Sequence, residues 1–204
     1  LSAEEVVNTF DEKTLKFIIK IFGDEKEASN IARNIVRERE IKRITNITEL
    51  VEIIKKSKKR NFNKKINVCT KTFQALRIFV NKETTELIEG LIKATQLVKD
   101  GGKIVVISFH SIEDKIVKFY FKNYSSNKSN PSRYLPSIKD KKNSFFEKYQ
   151  NKFFTPSKEE ILKNPSSRSA KLRYVIRTKN EFVYPKNFKL KFKKYLELEG
   201  LNDK

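Results

Sequence analysis

An apolar run that follows a glycine turn and empties directly into a capped helix constrains this chain more than any other feature. Ile104 to Phe109 is apolar except for Ser108 and rich in β-branched residues, the pattern of a strand in a parallel sheet covered on both faces. Asp100, Gly101 and Gly102 supply the turn before it. Beyond it, Ser111 is placed to cap a helix whose third position is Asp114, and Ile112, Ile116 and Tyr120 share one face. His110, the one histidine of the chain, therefore falls at the carboxyl end of a buried strand, where open α/β sheets bind ligands.

The residues before this unit read as helices. Ser2, Ala3, Glu4 and Glu5 form a capping-box pattern. Leu15, Ile18, Ile19 and Phe22 keep helical spacing after Asp11 and stop at Gly23. Ala28, Ile31, Ala32, Ile35 and Val36 make a second stripe, and Asn46 with Glu49 opens a helix carrying Leu50, Val51, Ile53 and Ile54. Short amphipathic helices in close succession predict a compact bundle. From Thr70 the pattern turns helical again, through Phe73, Leu76, Val80, Leu87, Leu91 and Val98.

Charge narrows the partners. Forty-five Lys and Arg against 25 Asp and Glu give a net charge of +20, far more than solubility requires, which points to a polyanion. The densest basic run, Lys55, Lys56, Lys58, Lys59, Arg60, Lys64 and Lys65 around Phe62, suits phosphate contact with stacking on an unpaired base, or a solvated basic linker. A single cysteine, Cys69, leaves no internal disulfide, and no run approaches the roughly 18 apolar residues of a membrane span. With no signal-peptide pattern, the expectation is a cytoplasmic protein with no membrane contact.

Residues 123–156 are rich in Asn, Ser, Lys and Pro, a loop long enough to be functional or disordered. Ser157 to Glu160 caps a short helix ended by Pro165, and Leu172, Tyr174 and Ile176 alternate with Arg173, Val175 and Arg177 as a strand does. After Lys179 the chain is basic and aromatic, and Phe188, Leu190, Phe192, Tyr195 and Leu196 fit a strand or a helix. The chain has no methionine and starts at Leu1 within a capping box, so a piece of a longer protein is expected.

Three separated motifs carry a resemblance. Thr70 to Ile78 (TKTFQALRI) with Val80 and Asn81, then Ile107 to Ser111 (ISFHS) with Glu113 and Asp114, then Thr155-Pro156-Ser157 and Asn164-Pro165 with Arg168 to Arg173 (RSAKLR), resemble the bacterial 16S ribosomal RNA cytosine-N4 methyltransferases. The likeness runs from Leu1 to about Thr178 and leaves the rest of the chain unmatched. It departs from the family's usual His-Pro at Asn67-Val68 and from its usual arginine at Lys71.

The resemblance implies an α/β fold of the class I (Rossmann-like) methyltransferase type. Residues 1–68 would be its inserted helical substrate-recognition domain, residues 69–178 the second half of the core sheet, and residues 179–204 a basic aromatic tail. It implies S-adenosyl-L-methionine as cofactor and 16S rRNA in the small ribosomal subunit as partner, with N4-methylation of one cytidine as the reaction. The family's glycine-rich cofactor loop and catalytic region would lie upstream of Leu1, so no catalytic, cofactor-binding or metal-binding residue is assigned, and the chain alone is expected to be inactive. Gly23, Gly90, Gly101, Gly102 and Gly200 form no nucleoside-cradling loop.

On that picture Ser108, His110 and Ser111 line the cytidine pocket, Glu113 or Asp114 accepts the amine protons, and Arg77 and Asn81, one helical turn apart, reach the same cleft or a phosphate. Asp114 read locally completes a helix cap, and His110 read locally is a buried turn residue. A metal-dependent nuclease built on His110, Glu113 and Asp114 is a poor rival, since these offer no second ligand cluster. A non-catalytic RNA-binding module is the stronger alternative, and the oligomeric state, a homodimer included, stays open.

Overall fold

The computed structural model describes residues 1–58, 67–126 and 144–203. The chain forms two compact units, Leu1–Thr85 with Lys194–Lys204, and Glu86–Lys193. The expected boundary between residues 68 and 69 falls inside the first of them. No described helix is long and apolar enough to cross a membrane.

The first unit holds α1 (Ala3–Thr9), α2 (Glu12–Gly23), α3 (Ala28–Ile41), α4 (Ile47–Ser57) and α5 (Thr70–Asn81). Their starts follow local chemistry. The Ser2 hydroxyl accepts from the Glu5 amide while the Glu5 carboxylate accepts from the Ser2 amide, and Asp11 and Asn46 accept from Thr14 and Glu49. Helix α2 packs against α3 and α5, and α1 against both of those, burying Leu15, Ile18, Ile19, Phe22, Ile31, Ile35 and Phe79.

Gly23 does not stop α2 as a left-handed cap. That conformation belongs to Asp24, at φ 48°, while Gly23 is the last helical residue. A Cβ on Gly23 would lie 2.5 Å from the Lys71 carbonyl oxygen and 3.3 Å from the Ala75 Cβ, so glycine is there to let α2 approach α5.

The apolar pattern beyond Thr70 is two helices, because Lys82 adopts the left-handed conformation at φ 50° and breaks α5 from α6 (Glu83–Leu97). The ends at this break are closed from far along the chain. The Glu199 carboxylate accepts from the Thr84 and Thr85 amides at 3.0 and 2.8 Å, and the Asn202 side-chain amide donates to the Phe79 and Val80 carbonyls at 3.3 and 3.0 Å.

In the second unit β1 (Lys103–Ser108) leads to α7 (Ser111–Asn123), then α8 (Lys158–Lys163), β2 (Lys171–Ile176) and α9 (Lys186–Lys191). The tail whose pattern suited strand or helix is helical, through α9 and α10 (Lys193–Glu199). The expected parallel strand is instead paired antiparallel, Lys103 opposite Ile176 through Ser108 opposite Lys171. Among the described residues β1 pairs on that side alone, whereas Phe154 exchanges backbone hydrogen bonds with Leu172 on the far side of β2.

Cover on both faces is not what the described residues show either. Ile104 and Ser108, with Arg173 and Val175, are buried on the face packed by α7, while Val105, Ile107 and Phe109 on the other are 54, 54 and 53% exposed. Behind the sheet Tyr120, Phe121, Phe145, Phe146, Phe188 and Phe192 form a fully buried aromatic cluster.

The contact at Gly23 predicts a change of sign between two glycine substitutions. Gly90 sits exposed inside α6 with open space where a Cβ would stand, so Gly90→Ala is expected to stabilise by up to about 1 kcal/mol. Gly23→Ala is expected to destabilise by about 1–2 kcal/mol, since the backbone carbonyl it meets cannot rotate away. Urea unfolding of the two variants beside the parent chain reads both.

Candidate functional site

The carboxyl end of β1 delivers the residues singled out in the sequence. Ser108 is the last strand residue, buried, and its hydroxyl has no hydrogen-bond partner among the described residues. His110, not Ser111, caps α7. Its Nδ1 accepts from the Glu113 amide at 3.4 Å, and one Glu113 oxygen accepts from the Phe109 and His110 amides at 2.8 and 3.2 Å. The other Glu113 oxygen lies 3.4 Å from His110 Nε2. The expected frame is thus shifted by one residue, because a neutral imidazole supplies the same acceptor as a serine hydroxyl. Ser111 becomes the first helical residue and is exposed.

Asp114 faces β2. One oxygen accepts from Arg173 Nε at 2.7 Å and the other from Lys171 Nζ at 3.1 Å. Partial burial pushes the Asp114 carboxyl up, and the bonds and charges of Arg173 and Lys171 more than offset this, holding it below the usual carboxylate range. Arg173 also donates to the Tyr149 hydroxyl at 2.8 Å and lies over the Phe153 ring, so a nearly buried guanidinium is held on every side. Tyr149 and Lys171 complete the arrangement. No local pattern marks Tyr149, whose partner lies 24 residues on.

In the first unit, Arg77 and Asn81 converge on Glu83. Arg77 makes a two-pronged contact, Nε to one carboxylate oxygen at 2.7 Å and Nη2 to the other at 3.1 Å, and Asn81 donates from 3.4 Å. The helical spacing of Arg77 and Asn81 is visible in sequence, but the carboxylate that gathers them lies past the break at Lys82 and belongs to no shared periodicity.

The basic run divides. Lys55 is exposed and paired with Glu52 at 2.9 Å, and Lys56 is exposed in the last turn of α4. Lys58 turns inward, its ammonium 2.5 Å from both the Glu25 carboxylate and the Val68 carbonyl. It is therefore not on the surface with the others. Lys59, Arg60, Lys64 and Lys65 lie outside the described residues.

The model of the MraW methylase family matches residues 1–178. The chain belongs to the MraW methylase family. It is similar to the ribosomal RNA small subunit methyltransferase H of Ehrlichia canis, 43% identical over 177 residues, 87% of this chain and 57% of that protein. The proteins of the same description from Rickettsia typhi and a Sulfurihydrogenibium species are each 44% identical over 174 residues, covering 56% and 54% of their length. The chain thus spans a little over half the length of the relatives it matches. The family match contains all the strand-end residues and Arg77 and Asn81, and stops before α9 and α10.

The clamp on Asp114 has a pH signature. A carboxyl depressed in the native state stabilises the fold above the unfolded value of about 4, and that contribution is lost as pH falls through the depressed native value. Asp114→Asn leaves the Arg173 guanidinium without its counter-charge and is expected to destabilise by about 1–3 kcal/mol at pH 7. The difference from the parent chain is expected to shrink below about pH 4, which urea titrations at pH 7 and pH 3 would read.

Proposed function

We propose that this chain is the substrate-recognition and second-half portion of an adenosylmethionine-dependent methyltransferase acting on the N4 amine of a cytidine in 16S rRNA. In this reading residues 1–68 form the helical recognition insertion, residues 69–178 the second half of the α/β core, and residues 179–204 a basic aromatic tail. The observation that carries it is the sheet. Two strands whose β1 edge is unpaired among the described residues, with an apolar outer face of Val105, Ile107, Phe109 and Tyr174, are what half of a larger covered sheet would look like. Family membership and the share of the relatives' length that is spanned support the same reading.

The residues present do not fit the cofactor. Gly101 and Gly102 form the turn entering β1, with Gly101 at φ 75°, Gly23 serves the α2–α5 contact, and Gly90 lies inside α6. None opens a loop onto a helix N-terminus that would cradle a nucleoside, so no step of methyl transfer is derived through these residues.

What the chain supplies is the cytidine and RNA side. The exocyclic amine is a weak nucleophile because its lone pair is delocalised into the ring, so transfer depends on holding it in line and accepting its protons. The target base has to leave its stack to be held so. Ser108, His110 and Ser111 line the pocket in this proposal. The unsatisfied Ser108 hydroxyl supports that role, and the ring fixed by the capping box gives the pocket a rigid edge. Of the two carboxylates Glu113 stands nearer the strand end, while Asp114 is committed to β2 and acts by positioning α7. Arg77 and Asn81 hold the RNA backbone, with Lys55 and Lys56 as outer phosphate contacts.

Calorimetry decides this reading. Adenosylmethionine is expected to bind the chain joined to the remaining part of a relative such as that of Ehrlichia canis, and not the chain by itself. Val105→Lys with Ile107→Lys is expected to leave the stability of the chain alone within about 0.5 kcal/mol, since both side chains are exposed there, and to abolish binding by the joined protein. Methyl incorporation into small ribosomal subunits by the joined protein would then test the substrate. No cofactor binding by either form would favour an RNA-binding module.

A further inference from the structure

We propose that the outer face of α7 is a docking track for the phosphate backbone of single-stranded RNA, a surface that rests on the RNA-substrate reading above and adds to it a second contact region. Ile112, Ile116, Val117, Tyr120 and Phe121 bury one side of α7. The opposite side carries Ser111, Lys115, Lys118 and Lys122 at helical spacing, all exposed. Some lysines of the chain are paired with carboxylates, as in Lys42–Glu49, Lys55–Glu52 and Lys171–Asp114. Among the described residues Lys115, Lys118 and Lys122 have no such partner.

The three lysines border a groove of about 500 Å³ that Phe119 and Lys171 also line. Its one acidic residue, Asp114, is already held by Arg173 and Lys171, so the field in the groove is positive. Lys191 of α9 adds a further cation over the Phe119 ring, 5.9 Å from its centre. Three point charges along seven residues of helix span about 10 Å, a linear array suited to successive phosphates. The half-buried Phe119 ring lies nearly parallel to that of Phe188, 6.3 Å between centres, and so holds the Lys191 ammonium at the edge of the groove. Concavity argues against a membrane surface, which would meet a convex face with protruding apolar side chains.

The test is titration of a labelled single-stranded oligocytidylate, over a range of salt, into the parent chain and into the combined Lys115→Gln, Lys118→Gln, Lys122→Gln variant. Each lost phosphate contact lowers the salt slope by about 0.7, so three are expected to make it shallower by about 2 and to weaken binding roughly 50-fold at 0.15 M salt. Acetylation of the parent chain with and without RNA, read by mass spectrometry, needs no variant to fold and is expected to show these three lysines protected. Unchanged affinity and slope with no protection would overturn the track while leaving RNA binding elsewhere intact. Absence of RNA binding by the parent chain would overturn the track together with the substrate reading. Loss of binding to polyglutamate or phosphatidylserine vesicles, with RNA binding unaltered, would assign the face to an acidic peptide or a lipid surface instead.

Discussion

The register of the antiparallel ladder between β1 and β2 sets most of what surrounds it. With Val106 opposite Arg173 and Ser108 opposite Lys171, a guanidinium is placed on the inner face of the sheet. The guanidinium there is paired with a carboxylate supplied by α7, Asp114 at 2.7 Å. Fixing Asp114 fixes the rotation of α7, which turns Ile112, Ile116 and Tyr120 inward and leaves its lysines outside. The same rotation sets the first turn, where His110 and Glu113 close on one another. A two-stranded ribbon is only marginally stable by itself, so the helix and the aromatic cluster behind it carry the unit.

Segments beyond the family match are structural in both units. In the second, Phe188 and Phe192 are fully buried among Phe119, Tyr120 and Tyr124, with Phe188 and Tyr120 ring centres 4.4 Å apart. Arg177, at the end of β2, donates to the carbonyls of Thr95, Phe145, Thr178 and Asn180, tying the start of that segment to the core with no counter-charge among the described residues. In the first, Glu199 and Asn202 close the helix ends at the Lys82 break. Helix ends leave amides and carbonyls unpaired, and here the groups that answer them come from more than 100 residues away.

What could be read in the sequence was local. The caps at Ser2, Asp11, Asn46 and Ser157 were legible because a side chain bonds an amide three residues on, and the apolar stripes because a helix repeats its face. The left-handed residue at Lys82 was not, since a lysine carries no local signal for that conformation, and at Asp24 the neighbouring Gly23 offered the stronger one. An apolar run marks a strand but not the direction of its partner, so the antiparallel pairing was beyond reach. At the site, the strand end was placed rightly, whereas the cap slipped from Ser111 to His110 and Lys58 left the basic surface for Glu25. Charge patterning cannot tell a lysine with a buried partner from one without.

The outer face of the sheet contradicts its surroundings in a way that bears on the whole molecule. A solvent-facing sheet in a chain of net charge +20 would be expected to alternate apolar with polar residues, yet Val105, Ile107, Phe109 and Tyr174 all point outward and Lys103 is the lone charge on that side of β1. A slip of β1 by one residue would bury Val105 and Ile107 but turn Ile104 and Val106 outward, so the register cannot relieve the mismatch. Both faces are therefore written for burial, as the continuous apolar run from Ile104 indicates, although the described residues cover only one. The polar pair Ser108 and Arg173 lies on the covered side, the reverse of what a free-standing hairpin would choose. That inversion is intelligible if the strand evolved between two layers, with its carboxyl end, and His110 beyond it, opening onto the seam between them.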